Sequence, residues 1–169
     1  MAKYFNISGQ STQQLIEPAE DIDVGKISLN NVQKVSKCKL DLYIEKKLTG
    51  KFYLLKEVEL PIGTTLIYDD IKFSSATDEF GLYIKLTDGA TFTLTGSIDP
   101  TASTTVTGVG TAFLSEVSIG DEIVVTGETR TVSDIASDTS LTVSSAFSDN
   151  SNDTTPDCNP IALVDVIIN

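Results

Sequence analysis

Histidine and tryptophan are absent from this 169-residue chain, arginine occurs once and cysteine twice. Without histidine the commonest proton shuttle and metal ligand is missing, which removes Ser-His triads, Cys-His nucleophiles, His-zinc sites and His-ligated iron. Positive charge is scarce: 12 basic against 24 acidic side chains leave a net charge of −12. Such a chain has little with which to neutralise phosphates, so no nucleic-acid partner is expected. Long apolar runs are lacking too. Although 40% of the residues are hydrophobic, no run approaches the roughly 18 consecutive apolar residues that cross a bilayer, and no membrane partner is expected.

Cys38 and Cys158 follow no Cys-x-x-Cys spacing, which excludes a zinc knuckle or a redox pair. The opening residues Met1-Ala2-Lys3-Tyr4-Phe5-Asn6 contain no apolar signal core. Synthesis in a reducing compartment and free thiols are therefore expected. The Asn6-Ile7-Ser8 and Asn152-Asp153-Thr154 sequons carry no meaning without secretion.

What the sequence does have is alternation. In residues 37–45, Cys38, Leu40, Leu42 and Ile44 share one face, and Lys37, Lys39, Asp41, Tyr43 and Glu45 share the other, the pattern of a half-buried strand. A turn at Leu48-Thr49-Gly50-Lys51 joins it to a second strand over 52–58. Further strands are read at 4–7, 13–16, 26–30, 64–68, 71–73, 81–86 and 91–95, punctuated by Pro61, Gly63, Asp69-Asp70 and Asp88-Gly89. Short strands at about ten-residue spacing are the signature of a sandwich.

Composition changes near residue 93. Residues 1–92 hold 11 lysines against 13 acids, a balance of −2, whereas residues 93–169 hold Arg130 alone against 11 acids, a balance of −10. The second stretch is rich in Ser, Thr and Gly, with short strands at 104–107, 122–125, 129–132 and 140–143, a single helical turn near 113–117 and a polar loop over 148–156. The strongly apolar run 161–168 then returns to the character of the first stretch. The expectation is an all-β protein: an antiparallel β-sandwich over residues 1–96 plus 159–169, interrupted by a small SH3-like β-barrel over 97–158.

Several groupings could carry chemistry. Asp149-Asn150-Ser151-Asn152-Asp153-Thr154-Thr155-Pro156-Asp157 spaces oxygens like a calcium loop, but Thr154 stands where the sharp turn needs glycine and Pro160 where a bidentate Glu belongs. It reads as an acidic solvated loop. Gly108-Val109-Gly110 lacks the following Lys and Ser/Thr of a phosphate loop and reads as a bend. The pairs Asp69-Asp70, Asp78-Glu79 and Asp121-Glu122 fall in turns, where acids are commonplace. No catalytic residue, cofactor or metal is expected. Of the tyrosines to watch, Tyr43, Tyr53, Tyr68 and Tyr83, the alternation aims Tyr43 and Tyr83 outward, making those two the candidate interaction residues.

The run Thr104-Thr105-Val106-Thr107-Gly108-Val109-Gly110-Thr111-Ala112-Phe113, with Gly120-Asp121-Glu122-Ile123, Gly127-Glu128-Thr129-Arg130-Thr131-Val132 and Ser137-Asp138-Thr139-Ser140-Leu141-Thr142-Val143, resembles a module that recurs in structural proteins of tailed bacteriophages. The resemblance covers about 103–147. The first stretch, with Leu60-Pro61-Ile62-Gly63-Thr64-Thr65-Leu66, is similar to the compact sandwiches of small phage head and tail accessory proteins. The resemblance implies a non-enzymatic virion component assembled in the bacterial cytoplasm. Its expected role is capsid decoration through sheet edges and loops, as a homo-oligomer on the major capsid protein. The alternatives are a tail, neck or fibre component that contacts tail proteins, or a carbohydrate-binding adhesin module. On this reading the first stretch touches the shell and the acidic second stretch faces solvent.

Overall fold

Alternating side chains need a second layer to cover their apolar face, and the computed structural model, which describes residues 2–46, 50–77 and 79–169, shows how they find it. The described residues form β1 (Lys3–Ser8), β2 (Thr12–Ile16), β3 (Asp23–Val24), β4 (Ile27–Asn31), β5 (Cys38–Lys46), β6 (Gly50–Leu60), β7 (Thr65–Tyr68), β8 (Phe73–Ser74) and β9 (Gly81–Thr87). There follow β10 (Phe92–Thr93), β11 (Ser97–Asp99), β12 (Thr105–Val109), the helical turn α1 (Phe113–Glu116), β13 (Glu122–Val125), β14 (Glu128–Ser137), β15 (Ser140–Val143), β16 (Asp157–Asn159) and β17 (Leu163–Ile168). All the strand pairs are antiparallel. The protein is all-β, as the period of the sequence requires. Most of the expected turn at Leu48-Thr49-Gly50-Lys51 lies outside the described residues.

The chain divides into two compact units: residues 1–33, 37–88 and 162–169 form one, and residues 34–36 with 89–161 form the other. In the first unit, one four-stranded sheet runs β1-β17-β4-β7 and another runs β2-β9-β5-β6. The core draws on both sheets: Ile7, Ile27, Leu29, Val164, Val166 and Ile168 come from the first sheet, and Leu15, Leu40, Leu42, Leu82, Ile84 and Leu86 from the second. That is a β-sandwich, closed by the hydrophobic effect acting on two inner faces. Cys38 is buried in it as a small apolar side chain.

In the second unit a seven-strand order runs β10-β16-β13-β14-β15-β12-β11. Its two ends, β10 and β11, are consecutive pieces of the segment 92–99. Ile98 and Asp153 exchange two backbone hydrogen bonds of 2.8 Å, which brings β11 back against the stretch leading into β16. The sheet therefore closes into a small barrel of six staves. Bulges in β14 between Val132 and Asp134 and between Ile135 and Ser137 bend it around the curve. Gly96 marks the break within the segment 92–99. Its φ is +83°, and a Cβ there would come within 2.5 Å of the Val109 carbonyl oxygen. Phe113, Val106, Ile123, Val132, Leu141 and Cys158 fill the interior.

The unit boundaries differ from the sequence reading. The strand expected at 91–95 belongs to the barrel, where Phe92 and Thr93 pair with Cys158 and Asp157, and Leu94 is buried in the barrel core. The junctions thus fall at 88/89 and 161/162 rather than at 96/97 and 158/159. The added pieces 92–99 and 157–159 also explain why the barrel has more staves than the four or five strands legible beforehand.

Candidate interaction surface

A metal site built from carboxylates needs several of them convergent on one point. Among the described residues no group of three or more Cys, Asp or Glu side chains is placed to hold a metal ion. Asp121 is fully buried while its neighbour Glu122 is exposed, because successive strand residues face opposite ways. The Asp121 carboxyl accepts the backbone N–H groups of Ser118 at 2.8 Å and Ile161 at 3.0 Å, a structural clamp. Asp69 and Asp70 are exposed between β7 and β8. Asp78 lies outside the described residues, and Glu79 pairs with Lys46 at 2.9 Å.

In the candidate calcium loop the carboxylates are already engaged in holding the chain itself. Asp149 accepts from the Ser151 N–H at 2.8 Å, Asp153 from the Thr126 and Thr155 N–H groups at 2.7 and 2.9 Å, and Asp157 from the Thr93 hydroxyl at 2.7 Å. Glu128 adds a second anchor. It accepts the Ser148 N–H and hydroxyl, the Asp149 N–H and the Arg130 guanidinium, and these donors, led by Ser148, hold its carboxyl well down at about 2. The loop is pinned rather than merely solvated. The bend expected over Gly108-Val109-Gly110 is confined to Gly110, at φ +67°, because Gly108 and Val109 end β12 in register with Ile98 and Ser97, and α1 beyond is only four residues long.

Tyr43 corrects the outward expectation. Its side chain does leave the core on the outer face of β5, yet the residue is 1% exposed. Register explains the burial. Tyr53 of β6 and Tyr83 of β9 stand directly opposite it on either side, with ring centroids 5.6 Å away in both cases, and the Tyr83 ring is stacked at 11°. Lys51 donates to the Tyr43 hydroxyl at 3.1 Å and lies 4.2 Å from its ring centre. Tyr43 is thus covered by its neighbours, and Tyr83 is half-buried in the same row. Rings stacked side by side across strands turn their faces to one another and leave edges for solvent, a poor platform for stacking a sugar.

The surface that stands out belongs to the other sheet. Parity along β1, β17, β4 and β7 puts Tyr4, Asn6, Ser8, Leu163, Asp165, Ile167, Ser28, Asn30, Val32, Thr65 and Ile67 on its outer face. Asp165 is the one charged side chain among them, and it accepts from the Asn6 amide at 2.6 Å. One row across the strands reads Tyr4, Ile167, Ser28, Ile67, and its three large side chains are 71%, 37% and 53% exposed. The opposite sheet carries Lys39, Asp41, Glu45, Lys51, Glu59 and Lys85 on its outer face. The sequence reading missed this apolar row. Its signal was the parity of Ile167 with Asp165, which marks both as outward.

The sandwich has four sheet edges, and they are not equivalent. β6 is protected: its pairing with β5 is interrupted by two bulges, Glu57 sits at φ +51° with its N–H on Asp41 at 2.7 Å, and Lys51, Lys56, Glu57 and Glu59 line it. β2 is bulged between Gln14 and Ile16, and β7 has four residues. β1 pairs with β17 in unbroken register over six residues and contains no proline. Gly9 donates to Ala162 at 2.8 Å in the same register, so the hydrogen-bonded pairs are the odd residues of β1. Tyr4, Asn6 and Ser8 consequently aim their backbone N–H and C=O groups away from the sheet.

No family model and no curated protein matches the chain. Among solved structures it aligns with one titled "Structure of infectious bursal disease virus Gx strain" at a TM-score of 0.26 and 9% identity, covering 99% of this chain and 40% of that one. The chain thus spans well under half the length of that structure's chain, and a TM-score this low does not amount to a shared fold.

Proposed function

We propose that this chain is a non-enzymatic structural protein of a tailed-bacteriophage virion, a decoration protein that docks on the assembled shell through the sandwich. The observation that carries the docking part is the nearly uncharged outer face of the β1-β17-β4-β7 sheet on a chain of net charge −12. A charge-poor face bearing Tyr4, Ile67 and Ile167 loses little hydration on contact, and exposed apolar patches of this kind mark protein interaction sites. The virion part rests on the resemblance of residues 103–147, whose motif side chains serve architecture: Phe113 and Leu141 fill the barrel, Asp121 clamps two backbone amides, and Gly108 packs against Thr111. The barrel unit carries 10 acids against Lys34 and Arg130, so it suits the solvent-facing role.

The test is location and count. Quantitative mass spectrometry of purified particles should find hundreds of copies, as a lattice-wide decoration requires; a dozen or fewer would move the protein to the neck or tail. Replacing residues 89–161 by a short linker should leave particle binding intact, since Ala162 donates to the Asp88 carboxylate at 2.7 Å and the cut ends already adjoin. Tyr4→Glu together with Ile167→Glu should abolish binding. Failure of the first variant to bind, or undiminished binding of the second, refutes the assignment of docking to the sandwich.

A further inference from the structure

We infer that β1 is a self-pairing strand: two copies of this chain join through it antiparallel about a two-fold axis at Asn6, making one eight-stranded sheet across the pair. The inference builds on the docking reading only in treating the sandwich as the contact unit, and it holds or fails in the purified protein without any particle. Three observations carry it.

The backbone groups of β1 that point away from β17 belong to Tyr4, Asn6 and Ser8, a set symmetric about Asn6, and of these the Ser8 carbonyl accepts one long bond of 3.5 Å from the Ser11 hydroxyl, which leaves its second lone pair for a strand partner. Antiparallel pairing about that residue sets Tyr4 opposite Ser8 of the second copy, Asn6 opposite Asn6, and Ser8 opposite Tyr4. Every outward N–H and C=O then meets a complementary group, as an isologous contact demands. Moving the axis to Tyr4 or Ser8 leaves part of the strand unpaired.

Charge selects a second copy as the occupant. Two molecules of −12 repel one another over most of their surfaces, so they meet best where charge is lowest. The single charged residue of β1, Lys3, is already bonded to Glu20. Beside the strand the outer face offers only Asp165, itself hydrogen-bonded to Asn6. The other edge of the same sheet, β7, runs straight into Asp69-Asp70, and β6 is lined with lysines and glutamates.

Area sets the strength. Six residues of strand on each side bury much less than the roughly 1,200–2,000 Å² of a standard interface, so the pair is a weak one. It is monomeric at about 1 µM, substantially dimeric near 1 mM, and strengthened wherever copies are held close together. Because the opposing force is long-range repulsion, salt favours association: the screening length falls from about 10 Å at 0.1 M to about 3 Å at 1 M.

Sedimentation equilibrium of the full chain from about 1 µM to 1 mM, at both salt concentrations, reads the association directly. The expected result is a dimer whose formation rises with concentration and with salt; a monomer throughout overturns the inference. Asn6→Pro removes an N–H that points away from β17, so it should leave the fold intact by circular dichroism and weaken dimerisation at least tenfold. Should that variant fail to fold, single cysteines decide. Asn6→Cys places two thiols on facing hydrogen-bonded residues, with Cα atoms about 5.5 Å apart, inside the range a disulfide spans. It should give a covalent dimer on mild oxidation, whereas Ser8→Cys, facing Tyr4 of the second copy, should not. No cross-link at Asn6, or equal cross-linking at both positions, overturns the register. Dimerisation without particle binding would leave this inference standing and remove the virion reading; particle binding by a strict monomer would do the reverse.

Discussion

Phe113→Ala probes whether the two units are energetically separate. Phe113 is fully buried in the barrel among Val106, Ile123, Val132 and Leu141, and truncating such a ring costs about 3–5 kcal/mol in lost contacts and residual cavity. For a unit of this size each kcal/mol moves the melting temperature by roughly 4–8 °C, so the barrel should melt about 12–40 °C lower. Composition supplies the assay. The protein has no tryptophan, and its five tyrosines, Tyr4, Tyr43, Tyr53, Tyr68 and Tyr83, all belong to the sandwich unit. Tyrosine fluorescence therefore follows the sandwich alone, while far-ultraviolet circular dichroism follows both units. In Phe113→Ala the dichroism should show an early transition that the tyrosine signal lacks, and the tyrosine midpoint should stay within a degree or two of the wild type. Equal shifts by both probes would refute the independence of the units, and a barrel shift below about 1 kcal/mol would refute the core position of Phe113.

Three further outcomes follow from the same contacts. Asp121→Ala removes the acceptor of the buried Ser118 N–H and of the part-buried Ile161 N–H, each loss costing about 1–3 kcal/mol, so denaturant unfolding of the barrel should show a loss of roughly 2–6 kcal/mol, with Asp121→Asn in between. The Glu128 carboxyl, ordinarily near 4.5, is held at about 2, so its contribution to folding is complete above pH 4.5 and is lost as the pH falls through about 2; the Ser148 and Asp149 amide resonances should titrate together in that window, and a midpoint near 4.5 would refute the anchor. Burial lifts the Cys38 thiol to about 11 and the Cys158 thiol higher still, so neither should react with a thiol reagent at pH 8 until denaturant is added; stoichiometric labelling of the native protein would contradict their burial.

Strands of five or more residues with one wet face were legible from the chain alone. β5, β9 and β17 are examples, because alternation is a local property and it fixes which face is buried. β3, β11 and β16 have two or three residues, too short for any period, and they exist because a partner strand recruits them. That is also why the junctions were misplaced: Phe92 and Thr93 look equally suited to either unit until Cys158 and Asp157 claim them. Tyr43 illustrates a further limit. Alternation says which side of the sheet a ring takes, but its burial depends on Tyr53 and Tyr83 arriving at the same level, a register set by three strands whose pairing spans forty residues of sequence. The open margin of β1 was invisible for the same reason, since which amides face outward depends on Gly9 meeting Ala162 at the far end of the chain.

The pin between Asp88 and Ala162 has a practical consequence. With both ends of the interruption fastened at one spot on the sandwich, the host sheet sees an attachment no wider than a hairpin turn, whatever is mounted there. Foreign sequence whose own ends lie close, such as an enzyme, an epitope or a fluorescent reporter, could replace the barrel as interchangeable cargo.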